Sequence, residues 1–484
     1  MANTVVLQKR YSEVTIAALA TAPAPAGIAV VRVSGPRAKD ALRSVFRAAK
    51  DPVQNPRLLV FGDVVDFHTN SIIDRALVAF MPGPHSYTGE DTVEFQFHGS
   101  QLLVQKVLRS LFASGVVAAE PGEFTKRAFL NGKIDLLQAE AIADLINAAS
   151  DEALIIAGEQ LKGRMSKLID GIAEPLRNLL AETEAALDFS DDGVGSKAVE
   201  KTCFALSQAH QQVSALLKTY DFGHRVRDGM RVLLFGMPNV GKSSLLNLFV
   251  GNRRALVSAQ PGTTRDVIEE AVTYQGYKLV LCDVAGIRAT NDDVESQGVA
   301  LARERIAWAH IILLVVDAVE PGDWRELLSE LSKQSAKVWL VVNKIDAAPG
   351  AFAEFDLASN ASGNFKLSQV FFISALNSSG FEPLRDALIA EIAVLRGGRV
   401  DGGEDSSAVT NERQRMCLVR AEEQLSDGII AAGGESANQE NSVLGEEIIA
   451  HHIRLTLAAL EELVGKTYTD DLLGRIFSQF CIGK

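Results

Sequence analysis

Short apolar runs without alternation punctuate the middle of the chain: Val232–Phe235, Leu279–Cys282, Ile311–Val316, Val338–Val342 and Val370–Ile373. A strand with one wet face alternates apolar and polar residues, so unbroken runs suit strands covered on both faces. Helical stretches separate them, which predicts a doubly wound parallel sheet. A different pattern precedes it. Ile142, Leu145, Ile146, Ala149, Ala153 and Ile156 recur at helical spacing, and Leu168, Ile172, Leu176 and Leu179 form a second stripe. Pro175 interrupts that stripe and marks a kink or a helix start. Residues 136–220 therefore read as long packed helices. The first third is mixed: a strand-like run at Gly27–Val33, then turns such as Met81-Pro82-Gly83-Pro84. Arg396–Ser407, rich in Gly and acidic residues, reads as a linker. Amphipathic helical patterning resumes at Asn411 and continues to Lys484, with a loop at Gly433–Ser442.

Several of the apolar runs end at a polar motif, and open parallel sheets bind ligands at those carboxyl ends. The first is followed by Gly236-Met-Pro-Asn-Val-Gly-Lys-Ser243, a match to the phosphate loop GxxxxGK[ST]. Its glycines let backbone N–H groups close on phosphates, and the helix that follows (Ser244 to Val250) adds its dipole. Lys242 is placed to reach the β- and γ-phosphates and Ser243 to ligate Mg²⁺. Asp283-Val284-Ala285-Gly286 follows the next run; Asp283 is placed to hold Mg²⁺ through water, and Gly286 to sense the γ-phosphate. Asn343-Lys344-Ile345-Asp346 follows a later run. The Asp346 carboxylate can accept two hydrogen bonds from a guanine edge, which adenine cannot supply. Ser374-Ala375-Leu376 ends the last run, where a base-supporting loop belongs. Four motifs in order, each at a strand end, point to a GTP hydrolase. The residue after DxxG, a water-orienting Gln in Ras-like enzymes, is Ile287 here, which can neither donate nor accept. Asp292, Asp293, Glu295 and Glu304 are the acidic candidates for that task.

Composition narrows the picture without redirecting it. A length of 484 residues suggests two to four domains. Acidic residues outnumber basic ones 61 to 48, so the chain does not coat nucleic acid by bulk charge. Local basic patches remain candidates at Arg225, Arg227 and Arg231, and at Arg413 and Arg415. The four cysteines, Cys203, Cys282, Cys417 and Cys481, fit neither a zinc site nor a disulfide framework, which implies a reducing compartment. No apolar run reaches the length of a membrane span. Met1 to Tyr11 lacks a secretory apolar core. Lys9 and Arg10 leave a mitochondrial presequence open, although the stretch is not rich in Arg and Ser.

The chain resembles the tRNA modification GTPase MnmE (TrmE) family over nearly all of its length. Pro261-Gly-Thr-Thr-Arg-Asp266 matches that family's switch segment. Pro121-Gly-Glu-Phe-Thr-Lys-Arg-Ala-Phe-Leu-Asn-Gly-Lys-Ile-Asp135 matches its N-terminal signature, and Cys481-Ile-Gly-Lys484 its C-terminal one. The resemblance implies a Ras-like doubly wound GTPase domain inserted in an all-helical domain, preceded by an α+β folate-binding domain. The expected boundaries are 1–131 for the tetrahydrofolate-binding and dimerisation domain, 132–227 and 396–484 for the two helical parts, and 228–395 for the GTPase domain. It further implies a homodimer that works with a flavin-containing partner, MnmG (GidA), on carbon 5 of the wobble uridine of tRNA. A folate (5-formyl- or 5,10-methylene-tetrahydrofolate) supplies the carbon, and GTP hydrolysis drives pairing of the GTPase domains. A cytoplasmic location follows for a bacterium, or the mitochondrial matrix for a eukaryote. The amine donor, glycine, ammonium or taurine, stays open.

Carried over by position, the resemblance makes Glu295 the water-orienting residue. The nucleotide would be held by Asn239, Val240, Gly241, Lys242, Ser243 and Ser244, by Ser258, Ala259, Gln260, Pro261, Gly262, Thr263 and Thr264, and by Asp283, Val284, Ala285 and Gly286. Asn343, Lys344, Asp346, Ser374, Ala375 and Leu376 would surround the base. Ser243 and Thr264 would hold Mg²⁺; Asn239, Ser258, Gln260 and Thr263 would hold K⁺, which stabilises transition-state charge as an arginine finger does. Arg32, Glu94, Lys133 and Lys484 would bind folate. Val284 stands where the family has Thr, Ser258 replaces a Thr, and Ala24-Pro25-Ala26-Gly27 replaces Gly-Arg-Gly-Gly. Cys481 has two readings: a reactive thiol that reaches the folate domain of the same or a partner subunit, or a buried helix-end cysteine with a packing role. The competing function class is a ribosome-assembly or regulatory switch of the Era or Der type. Against it, no second phosphate loop is present and no basic RNA-binding signature follows Gly397. A purely structural helical protein with an inert nucleotide fold conflicts with intact Lys242, Ser243, Asp283 and Asp346.

Overall fold

The computed structural model describes residues 13–23, 25–188, 196–251, 269–283, 304–331, 336–348, 350, 367–396, 408–433 and 442–484. The chain forms two compact units. One comprises Met1–Ile146, Glu159–Leu206 and Glu423–Lys484; the other comprises Asn147–Gly158 and Ser207–Glu422.

The first unit begins with β1 (Ile16–Leu19) and β2 (Ala26–Ser34), followed by α1 (Ala38–Val45) and β3 (Phe46–Arg47). Then come β4 (Val60–Val65), β5 (Ile72–Met81), β6 (Thr92–Gly99), α2 (Gln101–Ala113) and β7 (Val117–Ala118). The sheet order is β3-β4-β5-β6-β2-β1-β7. Inward positions such as Val31, Val33, Val78, Val93 and Phe95 alternate with outward ones and pack on Leu42, Val107 and Leu111 from the two helices. The other face keeps Phe61 and Leu77, a register pair, exposed. Next follow α3 (Glu123–Leu130) and α4 (Leu136–Asn147). Asp135 and Gln138 start α4 with reciprocal bonds: Asp135 accepts from the Gln138 N–H at 2.8 Å and Gln138 Oε1 from the Asp135 N–H at 3.0 Å.

The first helical stripe is two helices rather than one. α5 (Asp151–Leu161) starts afresh because the Ser150 hydroxyl accepts from the Ala153 N–H at 3.2 Å, and Asp151 and Glu152 fall in its first turn. Ile146 and Ala149 are consequently exposed. Pro175 lies inside α6 (Arg164–Asp188), not at its start. Its buried stripe is Met165, Ile169, Ile172, Leu176 and Leu179, with Leu168 38% exposed. After α7 (Ser196–Leu217), α8 (Tyr220–Asp228) leads into the second unit's sheet.

That sheet contains β8 (Met230–Phe235), β9 (Glu269–Tyr274), β10 (Tyr277–Asp283), β11 (Ile311–Asp317), β12 (Lys337–Asn343) and β13 (Leu367–Phe372), in the order β13-β12-β11-β8-β10-β9. α9 (Lys242–Gly251), α10 (Trp324–Leu331) and α11 (Phe381–Arg396) belong to the same unit. Every residue of β11 is buried, which accounts for its unbroken apolar sequence. Two cores use the alternate residues: Leu313, Val315, Trp339 and Val341 on one side, Ile312, Leu314, Leu340 and Val342 on the other. The expectation of a parallel sheet needs one correction: β9 pairs antiparallel with β10 at the edge. α12 (Glu412–Gly433), α13 (Ser442–Val464) and α14 (Asp470–Phe477) complete the chain. Most of Arg396–Ser407 and Gly433–Ser442 falls outside the described residues. Among the described residues, no helix is long and apolar enough to cross a membrane.

Candidate nucleotide site and a second cluster

The turn between β8 and α9 brings the phosphate-loop motif to the carboxyl end of the sheet. Asn239 and Gly241 both take left-handed backbone, with φ of 63° and 97°. A side chain at Gly241 would put its Cβ 2.1 Å from Asn343 Nδ2. That contact exists because Asn343, buried at the end of β12, donates from Nδ2 to the Val240 carbonyl at 2.9 Å. Its Oδ1 accepts from the Ala375 N–H at 3.0 Å. Asn343 thus clamps the phosphate loop to the base loop, with one Nδ2 hydrogen and one Oδ1 lone pair engaged. Gly241→Ala is expected to weaken GTP binding more than tenfold, since the strain and the clash together cost about 1–3 kcal/mol or more. Nucleotide titration measures it, with melting temperature showing that the chain still folds.

The Lys242 ammonium donates to the Gly236 and Met237 carbonyls at 2.9 and 2.8 Å, so the cation sits on the loop itself. The Ser243 hydroxyl donates to Asp283 Oδ2 at 2.9 Å. A hydroxyl and a carboxylate side by side are hard oxygen donors, the set Mg²⁺ takes. The chemistry of this oxygen pair is compatible with a hard divalent cation beside the phosphate loop.

The base side lies at the end of β12, two strands from β8. The Ile345 N–H donates to the Ile373 carbonyl at 3.3 Å and the Ala347 N–H to the Lys344 carbonyl at 3.0 Å. These bonds form the turn that leaves Asp346 exposed. Ser374 is fully buried; its N–H donates to the Ser379 carbonyl, and its hydroxyl accepts from the Asn377 N–H. Leu376 is open to solvent. Ser258, Ala259, Gln260, Pro261, Gly262, Thr263, Thr264, Val284, Ala285, Gly286 and Glu295 lie outside the described residues.

A second cluster forms in the first unit. Arg32 on β2 and Glu94 on β6 are register partners. Arg32 donates from Nε to Glu94 Oε1 at 2.9 Å and from Nη1 to the Gly483 carbonyl at 3.4 Å. Its guanidinium lies over the Tyr87 and Phe124 rings, 5.4 and 5.7 Å from their centroids. The Gly122 N–H donates to the Cys481 carbonyl and the Phe124 N–H to that of Lys484. Gly483 has φ of 96°, and a Cβ there would lie 2.0 Å from the Leu19 carbonyl. Cys481–Lys484 therefore lies against the N-terminal fold of its own chain. Cys481 is exposed, which removes the buried-cysteine reading. Burial pulls the Lys484 ammonium below the usual lysine range, and the Arg32 charge adds to this, against Glu94 and Cys481. The Lys133 ammonium donates to the Pro84 carbonyl at 3.0 Å.

The pattern reading missed Tyr87, Phe124 and the fully buried Arg127, which bonds Glu90 and Glu123 and anchors the surrounding loop. The candidate basic patches are internally engaged. Arg227 and Arg231 lie 3.9 Å from Asp228. Arg415 bonds Glu412 and lies over the Tyr220 ring.

Comparison with known proteins finds two family matches along the chain. The family described as the GTP-binding protein TrmE N-terminus matches residues 15–133, and the MnmE helical domain matches residues 136–481. The tRNA modification GTPase MnmE of Geobacter sulfurreducens is 39% identical over 478 residues, 98% of this chain and 100% of that one. The protein of the same name from Symbiobacterium thermophilum is 42% identical over 480 residues, again 98% and 100%. With its phosphate loop, base turn and tail in place, and with relatives matching it end to end, the chain belongs to the tRNA modification GTPase MnmE (TrmE) family.

Proposed function

We propose that this chain hydrolyses GTP as the nucleotide-driven component of a machinery that modifies carbon 5 of the wobble uridine of tRNA. The observation that carries the reading is the meeting of the Cys481–Lys484 tail with Arg32 and Glu94, in a chain that also holds a guanine-nucleotide cradle. The names of its relatives agree with this pairing of tRNA modification and GTP hydrolysis.

In this account Lys242 neutralises the phosphates, Ser243 and Thr264 hold Mg²⁺, and Asp346 selects guanine. Glu295 orients the water that Ile287 cannot. A magnesium ion, when bound, neutralises charge developing between the phosphates. Arg32, Glu94, Lys133 and Lys484 would bind a tetrahydrofolate derivative. The exposed Phe61 and Leu77 face supports homodimerisation through the N-terminal sheet. MnmG as flavoprotein partner and a bacterial cytoplasmic setting complete the proposal.

The cation test is direct. Hydrolysis is expected to run much faster in K⁺ than in Na⁺, because Asn239, Ser258, Gln260 and Thr263 form a site for the larger ion. Asn239→Ala should erase the difference. Glu295→Ala should keep GTP binding while slowing turnover by about a hundredfold or more. Equal rates of the intact protein in both salts would sink the K⁺ assignment.

A further inference from the structure

The turn that presents the base-reading carboxylate leans on a residue outside the four motifs. β11 ends at Asp317, in direct register with Asn343 at the end of β12. The Ala318 N–H donates to the Asn343 carbonyl at 2.8 Å, which ties the two strand ends together. Beyond them Lys344 takes a φ of 65°, a left-handed backbone uncommon for a side chain of this kind. This backbone sets where the lysine starts, not where its long stem goes.

The stem is directed by Asp317. That carboxylate is 8% exposed and accepts the Lys344 ammonium at 2.6 Å. It also accepts the Val319 N–H at 2.9 Å, so it is itself immobilised. Burial pushes the carboxyl up, yet the Lys344 bond and the Val319 and Glu320 amides hold it below the usual carboxylate range. An ionised, fixed acceptor meets a cation on a side chain that is otherwise 40% exposed. A lysine left free samples many rotamers, and ordering it when a ligand arrives costs affinity.

We propose that Asp317 is a positioning residue for the guanine pocket: by holding the Lys344 ammonium it sets the lysine stem as a preformed wall for the base plane beside Asp346. This rests on the GTP reading above. Asp346 would choose the base, and the Asp317–Lys344 pair would retain it whatever its edge.

The test is release of a fluorescent GDP, with steady-state GTP hydrolysis, by the full chain carrying Asp317→Asn or Lys344→Met. Asn can keep an acceptor for the Val319 N–H while it replaces the charged acceptor of the Lys344 ammonium with an amide donor. Loss of a charge-assisted hydrogen bond should speed GDP release about tenfold in each variant. Asp317→Asn should raise KM for GTP by a similar factor and leave kcat within about twofold. The double variant should release no faster than either single one, because both remove one interaction. The preference for GTP over xanthosine triphosphate should not move. Unchanged release by either single variant, additive effects in the double, or a fall in kcat at constant KM would overturn the proposal. Failure of the unaltered chain to bind fluorescent GDP would instead reject the GTP reading, and this inference with it.

Discussion

Asp346→Asn is expected to weaken GTP binding by about thirtyfold or more and to confer binding of xanthosine triphosphate. In the proposed site the carboxylate would accept from guanine N1–H and the exocyclic amine. An amide at the same position presents a donor, which repels one guanine donor and matches the xanthine oxygen. Losing a bidentate partner in a closed pocket costs roughly 2–5 kcal/mol. The substitution itself is structurally mild, because Asp346 is exposed on a turn held by the backbone bonds of Ile345 and Ala347. Weakened binding therefore reports recognition rather than misfolding. Unchanged GTP affinity would show that Asp346 does not read the base.

Cys481→Ser is expected to abolish wobble-uridine modification while GTP hydrolysis and dimerisation persist. The thiolate is the reactive form of a cysteine, and a serine hydroxyl cannot replace it at neutral pH. The structure sharpens this prediction. Cys481 is exposed, and its backbone carbonyl accepts from the Gly122 and Lys484 N–H groups, bonds that serine keeps. Surface changes of this kind stay within about 0.5 kcal/mol, so the melting temperature should hardly move. Melting temperature, GTPase rate and modified nucleoside are measured on one preparation. Full modification by a normally folded variant would reject a reactive role.

Much of the nucleotide unit was legible because buried parallel strands write themselves as unbroken apolar runs. Val232, Leu279, Ile311, Val338 and Val370 all fall within strands. β9 escaped that reading. It is an edge strand with Val272 and Tyr274 buried and Glu269 and Ala271 exposed, so it alternates and carries no continuous run. The break at Ser150 was missed although Ser-Asp-Glu is a helix-start signal; helical spacing across it concealed the cap. Asp317 shows a subtler omission. It ends an apolar run as Gly236, Asp283, Asn343 and Ser374 do, but matches no motif, and only the register with Asn343 reveals its partner. Asn343 was expected at the base; local patterning did not show that its side chain also bonds Val240 and Ala375. The Arg32–Glu94–Gly483 cluster depends on contacts across nearly the whole chain, which local patterning does not encode; family resemblance alone pointed to those residues.

The central claim is that one chain couples a guanine-nucleotide cradle to chemistry on tRNA. Mass spectrometry of tRNA nucleosides, from cells with and without the gene, tests it most directly. The account predicts that the carbon-5 modification of wobble uridine disappears without the gene and returns with the intact chain, but not with Cys481→Ser. An identical nucleoside profile in the presence and absence of the gene would contradict it.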